Sequence, residues 1–321
     1  MTPLAATRGR ADWLQPAGQF GILQGMPAAF IYQILTPLVS PRDLDPGFLV
    51  LDNSRNARPD WFEYWPIRNF LLEKSLDEEA FYGFLSPKFK QKTNLGAAAV
   101  HAIAREADAA IDVILLSPSI HNSSYHLNVF AHGDSEHPGL LEISKRFFER
   151  IGRSTNLDEV VNDSRNTVTS NYFVAKPRFW REWFAIAEAL FAIAEAPEDP
   201  LGAELRGPTA YRGSVDVQMK VFIVERIASW LLAVDRGFRT RVPDPFAART
   251  RIYKLPVAIV CDALKLAYAT QGRAQYKEIF LMVSGLRTGL NARIRIGSLL
   301  RSRRVRPFLD ALAAYWNRAG R

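Results

Sequence analysis

Cysteine is almost absent: Cys261 stands alone in 321 residues, so neither an intrachain disulfide nor a cysteine-based zinc cage can form. Its setting in the apolar run PVAIVCDALKLA predicts a small buried core thiol. Long hydrophobic runs are missing too. No stretch of about 18 uncharged apolar residues occurs, and the opening MTPLAATRGRADW has no apolar h-region. This predicts no membrane span, no signal peptide and a cytoplasmic chain. The sequence also lacks a phosphate loop ending in Lys-Ser/Thr, a G-x-G-x-x-G, a G-x-S-x-G elbow and an H-E-x-x-H pair. These absences speak against ATPases, dinucleotide enzymes, serine hydrolases and zincin proteases. Internal repeats and low-complexity tracts are lacking as well.

What is present is enough apolar residue for a sizeable core, 48% of the chain, and an uneven charge. The formal net charge is +8, yet residues 241–321 hold 16 Lys/Arg against 4 Asp/Glu, and the first 240 hold 25 against 29. The basicity therefore belongs to the tail. Arg293, Arg295, Arg301, Arg303, Arg304 and Arg306 make it a segment that can meet an anionic membrane surface, a nucleic acid or a polyanionic substrate, or form a solvated helical face.

Short β-branched and aromatic runs between turn formers predict strands at AFIYQIL, GFLVLDN, AFYGFLS, AIDVILLS and TSNYFVAKP. Helical spacing marks DWFEYWPIRNFLLEK, GAAAVHAIAREA, GLLEISKRFFERIG, a long helix opening at Pro177, and VQMKVFIVERIASWLLAV. In the Pro177 helix the apolar stripe is Trp180, Trp183, Phe184, Ala187, Leu190 and Phe191; in the last it is Met219, Ile223, Ile227, Trp230, Leu231 and Val234. Strands alternating with helices predict an α/β sheet with helices on its faces. The expected layout is a loosely ordered stretch over 1–18, an α/β domain over 19–245, and a basic helical C-terminal region over 246–321.

Three constellations carry chemistry. The stretch HNSSYHLNVFAHGDSEHPG holds four of the five histidines, His121, His126, His132 and His137, together with Asp134 and Glu136. Imidazoles and carboxylates suit a zinc or manganese ion, but spacings of two and three in a loop with Gly and Pro fix no common face. Following the strand AIDVILLS, the stretch reads more naturally as a polar loop at the edge where open α/β sheets bind ligands; loop bracing is the plain alternative. Lys88, Lys90 and Lys92 follow the strand AFYGFLS, where cations can neutralise a diphosphate, although exposed loop lysines are common. Glu63, Tyr64, Trp65 and Arg68 mix aromatic faces with charge, which suits a base or sugar and equally a core.

Taken in order, LDNSRNARPDWFEYWPIRNFL, FYGFLSPKFK, AIDVILLSP, TSNYFVAKPRFW and VFIVERIASWLLA resemble the small bacterial glycosyltransferases of capsule and surface-polysaccharide assembly, which have the nucleotide-sugar-binding A-type fold. The resemblance spans roughly residues 28 to 235 and rests on the order of the pieces. It implies that Asp52, Asn53, Glu63 and Tyr64 hold the donor nucleotide, with Arg68 also on substrate. Lys88, Lys90 and Arg226 would meet its diphosphate, with Asn171, Lys176, His126 and His137 also on substrate. The acceptor-activating base would be Asp134, Glu136, His132 or Glu225. Many A-type transferases carry Asp-x-Asp after the third strand to hold Mn²⁺; Ser86-Pro87-Lys88-Phe89-Lys90 stands there instead. Asp43-Leu44-Asp45 has the letters but falls in an earlier turn. The expectation is a metal-independent, hexosyltransferase-like enzyme with no resident cofactor. Mn²⁺ or Mg²⁺ at Asp134 and Glu136 is the alternative.

The partners so implied are a nucleotide sugar, a saccharide or lipid-linked acceptor, and an anionic membrane surface met by the tail at the inner face of the cell membrane. Nucleic acid is disfavoured, because no recognition module is visible and the first 240 residues lean acidic. Two other classes stay open: a metal-dependent hydrolase built on the 121–137 loop, and a non-enzymatic protein whose basic tail binds nucleic acid or membrane.

Overall fold

The computed structural model describes residues 28–117, 123–211, 214–244 and 255–285. The N-terminal stretch 1–18, His121 and the tail arginines named above lie outside the described residues. The chain is α/β. Its main sheet has six strands in the order β2-β1-β3-β5-β4-β8, formed by β1 (Ala29–Leu35), β2 (Leu49–Asp52), β3 (Phe81–Leu85), β4 (Val113–Leu115), β5 (Phe173–Ala175) and β8 (Thr240–Arg241). β1 pairs in parallel with β2 and β3, and β4 with β8, whereas β5 runs antiparallel between β3 and β4. A separate hairpin of β6 (Pro208–Tyr211) and β7 (Ser214–Gln218) occupies what reads in sequence as a polar loop.

Period-two alternation puts each strand's side chains into two layers. Ile31, Phe81, Leu85, Ile114 and Val174 face a core covered by α2 (Phe89–Thr93) and α3 (Ala97–Arg105). Ile34, Tyr82, Phe84, Val113, Leu115 and Phe173 face the larger core. That side is covered by α1 (Tyr64–Glu73), α4 (Val129–Glu136), α5 (Leu140–Arg150), α6 (Pro177–Glu195) and α8 (Met219–Val234), with the short α7 (Pro200–Leu205) behind. Trp180 on α6 stacks on Phe173, meets Phe84 edge-on and donates its indole N–H to the Tyr82 carbonyl at 3.0 Å. Gly83 is paired with Val174 across β3 and β5: a Cβ there would lie 2.8 Å from Val174 Cγ2 on the same face, so any larger residue would push that side chain aside.

The expected stripe on α6 is buried at Trp180, Trp183, Ala187 and Leu190, with Phe184 and Phe191 partly covered. On α8 the single expected stripe is too narrow. α4, α5, α6 and the hairpin pack around this helix, and Lys220 and Arg226 are buried along with most of its apolar residues, while Glu225 is half-buried and Val234, a member of the expected stripe, is exposed. A helix packed on most of its sides buries residues well beyond one stripe.

Two C-terminal helices, α9 (Leu255–Gln271) and α10 (Ala274–Gly285), pack on the 3-10 turn Ser123–Tyr125 through Tyr125, Leu127, Ala258, Cys261, Leu264 and Phe280. Cys261 is the buried core thiol expected, its pKa pushed up to about 12 by burial. Lys265 crosses this junction, donating to the carbonyls of Ser123 (3.4 Å) and His126 (3.2 Å). Among the described residues no helix is long and apolar enough to cross a membrane.

Candidate active site

β1 lies between β2 and β3, all three parallel, so the chain leaves the carboxyl end of β1 towards one side and that of β3 towards the other. Such a divergence opens a crevice at the carboxyl edge. Gln33, buried near the end of β1, fixes both lips. Its amide donates to the carbonyls of Ser86 (3.4 Å) and Pro87 (3.3 Å), and its carbonyl accepts from Asp45 N–H at 2.8 Å. Asp45 in turn accepts from Ala97 N–H at 3.0 Å and caps α3, which explains why the Asp-x-Asp letters of that turn are structural. At the end of β2, Asn53 is buried, with its N–H donating to the Leu35 carbonyl at 2.9 Å, and Asp52 stays exposed. Hydrogen bonds from Ser54 hold the Asp52 carboxyl below its ordinary pKa.

The antiparallel strand contributes its amino end to the same edge. Ser170 and Asn171 enter β5 with φ of 57° and 52°, a left-handed pair that non-glycine residues rarely adopt. Asn171 is buried and its side-chain oxygen has no hydrogen-bond partner among the described residues. Tyr172 bonds Ser86 through its hydroxyl, and Lys92 lies 5.3 Å over the Tyr172 ring while donating to Ser170 Oγ at 3.2 Å.

Glu225 completes the set. Held midway along α8, it has its pKa raised by burial; the neighbouring Glu63 adds to the rise, while Arg226 and Lys92 oppose it. Two carboxylates and one lysine from three separate segments therefore share one electrostatic neighbourhood. Glu63 follows Phe62, whose φ of 49° is unusual for a bulky residue. The segment is braced from below. Lys220 Nζ donates to Asp60 Oδ2 at 2.6 Å and sits 4.1 Å over the Trp61 ring, while Glu195 accepts from Arg58 at 2.6 Å and from the Trp61 indole at 2.9 Å.

Other residues singled out in the sequence land elsewhere. Lys88 and Lys90 are exposed; what reads as a loop is α2, and Lys92, one turn past the buried Phe89, is the lysine turned inward. Arg226 donates to the carbonyls of Val129 (2.9 Å) and Phe222 (2.6 Å), and a Cβ on Gly133 would collide with its guanidinium, so it packs α8 onto α4. Tyr64 bonds Glu188 and Arg68 pairs with the same carboxylate at 2.7 Å, which ties α1 to α6. Burial first, then Glu188, raises the Tyr64 pKa. Lys176 closes β5 at the end away from Asn171, and because β5 is reversed that end lies away from the carboxyl edge, where Lys176 donates to the Ala109 carbonyl at 2.7 Å.

Val129–Glu136, within the histidine stretch, is helical where a loop is expected. Asn128 caps α4 by accepting from Phe130 N–H (3.0 Å) and Ala131 N–H (2.9 Å), and donates to the carbonyls of Leu157 (2.8 Å) and Val160 (2.9 Å). Asp134 accepts from Gly139 and Leu141 N–H and so caps α5; Glu136 is exposed; His137 stacks on Phe222 at 3.6 Å. His126 and His132 are ring neighbours at 5.1 Å. Among the described residues no group of three or more His, Cys, Asp or Glu could hold a metal ion. Asn128→Ala is expected to cost about 2 kcal/mol in denaturant unfolding, the loss of a cap plus two buried carbonyls left unpaired; a change within about 0.5 kcal/mol would contradict this role.

Comparison with known proteins returns no match to a family model, to a curated protein or to a solved structure.

Proposed function

We propose that the chain is a glycosyltransferase that moves a sugar from a nucleotide-sugar donor to a saccharide acceptor, free or lipid-linked, in surface-polysaccharide synthesis. The observation that carries the reading is Glu225, a half-buried carboxylate with Lys92 and Glu63 in its field, where Lys92 bonds Ser170 at the carboxyl edge beside the β1/β3 crevice. In an inverting transfer Glu225 takes the proton of the acceptor hydroxyl as that oxygen bonds to the anomeric carbon. The bond from the anomeric carbon to the diphosphate oxygen breaks, and the electron pair leaves with the diphosphate. Lys92 meets the departing charge, a fixed cation where a metal serves elsewhere. Asp52 and Asn53 at the end of β2 suit the donor's nucleoside, and Asn171 a hydroxyl or amide donor on the substrate.

The test is titration of purified protein with UDP- and GDP-sugars, with and without EDTA. Saturable binding that survives EDTA and weakens about tenfold in Lys92→Met is expected. Loss of all binding in EDTA would sink the lysine version, and absence of binding under every condition would sink the transferase. The basic tail gives the enzyme an anionic membrane surface as its working place, at about 1 kcal/mol per arginine near the headgroups. Salt-sensitive binding to phosphatidylserine vesicles is expected, and equal binding to neutral vesicles would contradict it.

A further inference from the structure

A second concavity lies away from the crevice, and we infer that it binds an acidic saccharide, a chain segment carrying ring carboxylates. The open concavity, about 680 Å³, is lined by parts of 155–166, the end of α8, the entry to β8 and the end of α9. Phe238 and Thr240 put it at the amino end of β8, whereas the candidate active site occupies the carboxyl edge. Its size is within the roughly 300–1,000 Å³ of small-ligand sites, which is room for sugar rings rather than for one ion.

The walls alternate in character as a sugar ring does. Val160, Leu232 and Ala233 supply an apolar base, and the half-buried ring of Tyr268 offers a flat surface for C–H faces, while the Phe238 ring is itself covered by Arg178 at 4.7 Å. Asn156 and Thr270 bring an amide and a hydroxyl that suit ring hydroxyls, while Asn166 is held by the protein, its amide donating to the Val161 carbonyl at 3.2 Å and accepting from Asp163 N–H at 2.9 Å. Two guanidiniums, Arg165 and Arg236, stand in the same lining.

The charge balance there favours an anion. Glu159 is the one carboxylate in the lining, and it is already engaged by Lys277 Nζ at 2.7 Å and the Tyr268 hydroxyl at 3.1 Å. Hydrogen bonds from Lys277 and then Tyr268 hold its pKa below the ordinary range, so it stays ionised and matched. Arg165 is paired with Asp163, Nε at 3.0 Å and Nη2 at 2.7 Å. Arg236 is exposed, with one nitrogen on the Ala269 carbonyl at 3.1 Å, and the nearby Asp235 accepts from its own turn at Gly237 N–H. A guanidinium so placed offers its remaining N–H groups to a carboxylate in fork geometry.

The site is independent of the transfer chemistry, and the experiment keeps the two apart. Full-length protein is titrated calorimetrically with an oligogalacturonate tetrasaccharide, with a neutral oligosaccharide of equal length and inorganic phosphate as separate arms. Saturable binding of the acidic sugar is expected, weakened at least about tenfold by Arg236→Ala and by Ala269→Trp, which fills the cavity, and unchanged in Glu225→Gln. Arg236 is exposed, so its removal spares the fold even if the tryptophan does not. No saturable binding, equal affinity for the neutral oligosaccharide, competition by phosphate at the same affinity, or wild-type binding in Arg236→Ala would each overturn the inference. Loss in Glu225→Gln would do so as well, since the sugar would then be sitting in the crevice.

Discussion

Glu225→Gln should lose about 10²- to 10⁴-fold in transfer rate, the usual contribution of a positioned general base, while melting at a higher temperature than the parent at neutral pH. Both halves follow from one fact: the packing around α8 half-buries the Glu225 carboxylate, so it is ionised at a cost, and its pKa stands above the ordinary value. Below about pH 4.3, the ordinary glutamate pKa, folded and unfolded chains both carry the proton and no charge is buried. Between that value and the raised folded one, the native state holds a proton that the unfolded state releases, so stability declines as pH rises. Glutamine removes the decline. The variant's gain should therefore be greatest at pH 8 and vanish towards pH 4. Calorimetric melting at several pH values together with donor turnover checks this. Equal melting of the two proteins across the range would show that Glu225 is solvated, and full turnover would remove it as base. The acid limb of the parent's rate profile should likewise sit above the ordinary carboxylate range.

Lys220→Met should cost about 3 kcal/mol, the lower end for breaking a buried ion pair. The lysine side chain is 1% exposed, whereas Asp60 and Glu195 are 30% and 32% exposed and keep Arg58, which limits the loss. Burial alone would raise the Asp60 pKa, but hydrogen bonds from Arg58 and Lys220 outweigh it and hold the group at about 2. A depressed carboxylate contributes stability that is present above its unfolded pKa, about 3.9, and is lost as pH falls through the folded value. The difference between parent and variant should accordingly shrink between pH 4 and pH 2. Urea unfolding across that window is the measurement, and a pH-independent difference would assign the loss to packing on Trp61 instead. Because the same brace holds the segment leading to Glu63, donor affinity should fall together with stability.

The five strands that alternation predicts are the five longest-paired strands of the main sheet, and the long helix at Pro177 is α6. Their signals are local, since buried β-branched and aromatic runs bounded by turns look much the same in any tertiary setting. Strand direction has no such signal. Period-two alternation is identical in β5 whether it runs up or down, so nothing in TSNYFVAKP says which of its two ends, Asn171 or Lys176, reaches the carboxyl edge. Lys92 was legible as one of three lysines but not as the inward one, because PKFKQKTN carries too few residues for a helical period to stand out. α4 is hidden by Gly133, a poor helix residue that is required by the Arg226 guanidinium beside it, a contact from across the fold. The charge of Arg226 pointed to a phosphate when its partners are carbonyls. Glu225 lay off the apolar stripe, and only the crowding of α8 decides between a cleft and bulk water. The β6–β7 hairpin and β8 are short, and their pairing partners, not their composition, make them strands.

The place of β5 bears on how the chain is made. It is the wedge between β3 and β4, so the sheet stays in two pieces until residues 173–175 have left the ribosome. At about 5–20 residues per second, the free edge of β3, centred on the apolar FYGFL, waits on the order of ten seconds for its neighbour. An open strand of that composition is a template for other chains. Slowed elongation between β3 and β5 would lengthen the exposure, and the yield of soluble protein should follow translation speed across that interval more closely than anywhere else in the chain.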